Sequence, residues 1–160
     1  MPRAYIESSI PSYYVARPSR QIALLAKQQA TRDWWEGGCS GLDLVVSLET
    51  LDEIARGEEA KALERVGLVA TLPVLETTDA AIDLADALVR AGIVPGKAAS
   101  DAVHIAVASV HGVEFLVTWN FTHIANPFLR ERIRERVLSH GFRMPTMCSP
   151  GELLNEYEDD

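Results

Sequence analysis

Apolar residues along the chain follow two spacings. Short β-rich runs of three or four residues alternate with longer stretches in which apolar side chains recur every three to four residues. That alternation predicts an α/β domain on a central, mainly parallel sheet of four to five strands. The runs are Arg3 to Ile6, Leu44 to Val46, Leu72 to Leu75, Phe115 to Thr118 and Thr146 to Cys148. Helical patterns cover Arg20 to Trp35, with Ile22, Leu25, Ala26 and Trp34 near a helical period, then Leu48 to Arg56, with Leu48, Leu51 and Ala55 on one side, and Glu58 to Val66. Thr78 to Ala91 opens on a residue able to cap free backbone N–H groups, carries Asp79 at the positive end of the dipole and stops at Gly92. Ser100 is expected to cap Asp101 to His111, and Pro127 to open a helix through Ser139. "SPGELLNEY" predicts a short C-terminal helix; a single domain is expected over residues 1–155 and a frayed acidic tail over residues 156–160.

Composition narrows the class. A chain of 160 residues, 48% hydrophobic, can build a core without disulfides or metal staples. No apolar stretch is long enough to span a bilayer, and no basic segment leads into a cleavable apolar run, so neither a membrane partner nor export is expected. Cys39 and Cys148 stand in unrelated contexts and read as reduced thiols in a cytoplasm. The net charge of −8 argues against non-specific binding of nucleic acid by electrostatics alone. The charge is unevenly spread, however. Residues 1–32 hold five basic side chains against the single acid Glu7, a net of +4, whereas residues 33–116 sum to −10.

That lone acid directly follows the first strand, where packing asks for no charge. In open α/β sheets ligands bind beyond the carboxyl ends of the strands. Four segments bring oxygen donors to that edge: Glu7 after the first strand, Glu49, Asp52 and Glu53 after the second, Asp101 in the helix before the fourth, and Asn120 after it. Carboxylates without histidine or cysteine ligands suit a hard cation such as Mg²⁺ or Mn²⁺, which serves phosphoryl transfer. Each acid alone also has a plain reading as a dipole partner or solvated charge. No glycine-rich fingerprint follows the first strand, which disfavours a Rossmann-type nucleotide site.

Four motifs, "YIESSIPSYY", "VVSLETLDEIARG", "KAASDAVHIAVASVHG" and "EFLVTWNFTHIAN", resemble in order those of the PIN-domain family, and most closely the VapC-like toxins. The resemblance implies a three-layer α/β/α sandwich, a divalent-metal-dependent endoribonuclease, an antitoxin protein that blocks the site, and a homodimer. Carried over, the first family acid falls on Glu7, the second on Glu53 within "TLDEI" (with Glu49 as fallback), the third on Asp101 and the fourth on Asn120. Glu7, Glu53 and Asp101 are then expected to hold Mg²⁺ or Mn²⁺, and Asn120 to orient the attacking water or the phosphate. Ser8 and Thr118 would add hydroxyl contacts, His104 would touch substrate or brace Asp101, and Arg17 and Arg20 would meet RNA phosphates. His123 and Asn126 are expected to fix the loop after the fourth strand. Glu7 and Asn120 stand where the family commonly has aspartate. A catalytically weak PIN-like module that binds a protein or RNA without cutting is the competing expectation.

Overall fold

The strands are β1 (Arg3–Ile6), β2 (Asp43–Ser47), β3 (Val74–Leu75), β4 (Phe115–Val117) and β5 (Thr146–Cys148). They form one parallel sheet in the order β3-β2-β1-β4-β5. The structure is a computed structural model that describes residues 1–154; the predicted tail and the end of the predicted C-terminal helix lie outside the described residues. Around the sheet run α1 (Ser9–Val15), α2 (Ile22–Asp33), α3 (Leu48–Ile54), α4 (Glu59–Val69), α5 (Asp79–Arg90), α6 (Ala99–Val110), α7 (Arg130–Ser139) and α8 (Pro150–Leu153). A π-helical turn, Trp34–Gly38, extends α2.

Strand alternation divides the core into two. Tyr5, Val45, Leu116 and Met147 point to one face and pack with Leu84 and Leu88 of α5, Ile105 of α6, and Ile133 and Val137 of α7. Ala4, Ile6, Val46 and Val117 point to the other and pack with Ile10 of α1, Trp34, Ile54 of α3 and Val69 of α4. The result is the expected α/β/α sandwich. Among the described residues no helix is long and apolar enough to cross a membrane. Both cysteines are free thiols, and burial pushes that of Cys148 up to about 12, which makes it inert.

Capping at α5 follows the sequence. Thr78 accepts from the Ala81 N–H at 3.2 Å. Thr78→Ala is expected to cost about 1 kcal/mol, read as a shift in urea midpoint; an unchanged midpoint would mean that water satisfies that N–H equally well.

Several elements differ from expectation, each for a local reason. The stretch after β1, for which the sequence pattern predicts no element, is helix α1. Its Pro11 lies in the first turn, where a missing N–H costs no hydrogen bond, and Ile10 and Pro11 are buried. Of the apolar residues predicted to face inward along α2, Ile22, Leu25 and Ala26 are exposed and Trp34, at its end, is buried, while Gln28 and Thr31 are buried within it. Gln28 accepts from the Ser19 N–H and donates to the Arg17 carbonyl, so this helix is fastened to its own preceding loop by polar groups. In α3 the buried positions are Thr50 and Ile54 rather than the Leu48 side. Ser100 lies inside the first turn of α6 and does not cap it, because its hydroxyl donates to Glu49 Oε1 at 2.5 Å. Helix α7 starts three residues after Pro127, where the Asn126 carbonyl accepts from the N–H groups of Leu129 and Arg130. Trp34 is wholly buried, and its neighbour Trp35 packs half-buried against Tyr14 with ring centroids 6.1 Å apart.

Candidate functional site

β1 ends at Ile6, but the Glu7 N–H still donates to the Val117 carbonyl at 3.2 Å, so the ladder continues one residue past the strand. This places a carboxylate that is only 4% exposed at the carboxyl end of the central strand. Three hydroxyls donate to it: Ser9 to Oε1 at 2.5 Å, Thr118 to Oε1 at 2.6 Å and Ser8 to Oε2 at 2.7 Å. Among the described residues Glu7 forms no ion pair. A buried charge is tolerable only when well bonded, and the run "ESS" provides two of the donors from adjacent positions. The same hydroxyls also accept: Ser9 Oγ from the Trp119 N–H at 2.8 Å and Thr118 Oγ1 from the Asn120 N–H at 2.9 Å. Glu7 therefore organises the chain as it leaves β4.

From there the bonds run on to Asp101. Asn120 Oδ1 accepts from the His123 N–H at 3.0 Å, and His123 Nδ1 lies 2.9 Å from Asp101 Oδ2. Asn126 closes the same loop, donating to the Thr122 carbonyl and accepting from the Phe128 N–H. His123 thus ties Asp101 to the β4 exit as well as shaping the loop.

A second polar chain lies beneath. The Tyr5 hydroxyl is 2.6 Å from both Ser47 Oγ and His104 Nδ1, and His104 Nε2 bonds Glu53 Oε1. Tyr5, Ser47, Thr50 and His104 are fully buried. Burial pushes the imidazole toward neutrality, yet the Tyr5 oxygen, the Glu53 hydrogen bond and the charges of Glu7 and Glu53 together hold its pKa well above the ordinary value. Burial likewise raises Glu53, and His104 more than offsets this, so the carboxyl lies below its usual range. A doubly protonated ring satisfies every group: Nε2–H donates to Glu53, Nδ1–H to Tyr5, and the Tyr5 O–H to Ser47, which also caps α3 through the Thr50 N–H.

His104 was expected to touch substrate or brace Asp101. Being fully buried, it does neither, and it braces Glu53 instead. Glu49 and Glu53, one turn apart on α3, face Ser100 and His104, one turn apart on α6, and form two rungs between the helices. Arg17 and Arg20 lie exposed in the α1–α2 connection.

The carboxylate oxygens of Glu7 and Asp101 fit a hard cation in kind, whereas the Asn120 carbonyl is taken by the His123 N–H. Asp101 Oδ1 accepts no hydrogen bond from the described residues, which leaves it open as a ligand atom. Glu53 is engaged by a histidine, and among the described residues no three His, Cys, Asp or Glu side chains converge into a group able to hold an ion. Sequence reasoning missed Ser9 and the Tyr5–Ser47–Thr50 set. The one signal available was a tyrosine at an inward strand position, whose hydroxyl needs a buried partner.

The sequence matches no family model and no curated protein. The structure is similar to that of VapBC2 from Rickettsia felis bound to a DNA fragment from its promoter, with a TM-score of 0.58 at 11% identity, covering 92% of this chain and 98% of that chain. At that identity the likeness is one of fold, and the fold is PIN-like.

Proposed function

We propose that this chain is a divalent-metal-dependent endoribonuclease, the VapC-like toxin of a toxin–antitoxin pair acting on RNA in the cytoplasm. The observation that carries the reading is Glu7, a buried carboxylate at the carboxyl end of the central strand whose partners among the described residues are neutral hydroxyls. Glu7 and Asp101 would hold Mg²⁺ or Mn²⁺, with Glu53 joining them on release from His104. The bound ion would supply Lewis acidity for activating water and would offset phosphate charge. Ser8, Ser9 and Thr118 fix the direction of the Glu7 oxygens. The Asn120 carbonyl is committed to His123, so its amide N–H₂ is the group left to orient the phosphate or the attacking water. Arg17 and Arg20 give the phosphates a basic approach. The VapBC2 likeness supports an antitoxin as protein partner, and a homodimer belongs to the same reading.

One observation favours the second reading, a PIN-like module that binds without cutting: each candidate acid already has an internal partner, and Glu53 has a cationic one. The test is cleavage of a mixed RNA pool by purified protein with Mg²⁺, with Mn²⁺ and with EDTA, beside Asp101→Ala. Cleavage that needs the ion and is lost in the variant is the expected result. Folded protein that cuts under neither ion would transfer the conclusion to the binding module.

A further inference from the structure

Asn120 is flanked in sequence by Trp119 and Phe121, and these rings form a cluster with Tyr13 and Lys27 that the proposed chemistry does not use. Trp119 is held by three contacts: its N–H donates to Ser9, its indole Nε1–H donates to Thr31 Oγ1 at 2.8 Å, and Tyr13 stacks on it at 5.9 Å with an interplanar angle of 10°. Phe121 meets Trp119 edge-on at 5.9 Å, is 40% exposed and joins neither apolar core. Lys27 Nζ lies 5.3 Å from the Phe121 centroid and 5.7 Å from that of Trp119. Among the described residues it has no carboxylate partner. An ammonium held by ring faces alone stays available to a phosphate. Packing does not account for an exposed phenyl ring on an anchored indole beside an uncommitted cation. Proteins that take single-stranded nucleic acid use this pairing of an aromatic face with a neighbouring positive charge.

We propose that Phe121 is a stacking platform for one unpaired base of single-stranded RNA, with Lys27 meeting the adjoining phosphate; the identity of the ligand rests on the ribonuclease reading. Because every base has a π-face, the subsite would tolerate any base and would set register rather than sequence.

The probe is a fluorescently labelled 2′-O-methyl RNA octamer, which resists cleavage, followed by anisotropy in EDTA with wild type, Phe121→Leu, Phe121→Trp and Lys27→Met. Phe121→Leu keeps the apolar bulk and removes the π-face, and is expected to weaken binding about 5- to 150-fold. Phe121→Trp should restore binding, which a merely structural role would not require. Lys27→Met should lower the salt dependence by about one counterion. Equal binding by wild type and Phe121→Leu, or no binding by wild type, overturns the subsite. A parallel Mg²⁺ cleavage assay separates the two claims. Phe121-dependent binding without cleavage removes the ribonuclease reading and keeps the subsite, whereas cleavage with binding indifferent to Phe121 does the reverse.

Discussion

Glu7→Gln is expected to lower ion-dependent RNA cleavage by about a hundredfold or more, since a lost ligand charge removes several kcal/mol of transition-state stabilisation. The fold should survive. Hydroxyls both donate and accept, so Ser9 and Thr118 can continue donating to the amide oxygen while Ser8 turns to accept from the amide N–H₂. The change in unfolding free energy should accordingly stay within about 1 kcal/mol. Glu7→Asp separates charge from position: it keeps the carboxylate and withdraws its oxygens by about 1.5 Å. Thr118 sits across the sheet at 2.6 Å, a contact that a shorter side chain cannot keep, so this variant should fall between wild type and Glu7→Gln. Single-turnover cleavage beside thermal melts reads both quantities. A Glu7→Gln protein that cuts at the wild-type rate would make Glu7 a structural residue only.

His104→Leu is expected to destabilise the protein by about 1–3 kcal/mol, because it removes the partner of the half-buried Glu53 carboxylate and leaves the Tyr5 hydroxyl with one partner fewer. The cost should depend on pH in a defined direction. The raised pKa of His104 means that the native state holds its proton more tightly than the unfolded chain. That stabilisation is complete below the ordinary histidine value of 6.5 and is lost as pH rises through the elevated native value. The depressed pKa of Glu53 has the opposite sense: its contribution is present above the ordinary 4.5 and disappears as pH falls through the native value. The gap between wild type and variant should thus be widest between pH 4.5 and 6.5 and narrow on both sides. Urea midpoints across pH 4 to 9 check this; a gap that stays constant would mean that the ring contributes by packing alone.

How far the sequence discloses this protein varies by element. β1 and β5 fall on the predicted residues because each is a short run that turns apolar and buried after a polar first residue, Arg3 or Thr146. The cap at Thr78 and the glycine stop of α5 rest on strictly local chemistry and were legible for that reason. Helix α2 was located, but apart from Trp34 its apolar positions face outward, since polar side chains hold its inner side: Gln28 bonds the loop before it and Thr31 accepts from the Trp119 indole. The carboxyl-edge donors Glu7, Asp101 and Asn120 were visible because strand ends predict where side chains gather. Their partners were not visible: Glu7 bonds Thr118 across 111 positions and Glu53 bonds His104 across 51. No local period encodes pairs so distant. His104 showed the limit most clearly, because lying one turn beyond Asp101 on the same helix gave no indication that its ring would turn to α3.

The two outermost strands have a bearing on how this sheet behaves in company. β3 is two residues long and β5 three, and each is entered from a proline, Pro73 and Pro145. A proline offers no N–H, and so short a strand gives an incoming chain almost no template on which to hydrogen-bond. The central strands β1, β2 and β4 are thereby covered at both rims, and the protein carries in its backbone a safeguard against edge-to-edge aggregation.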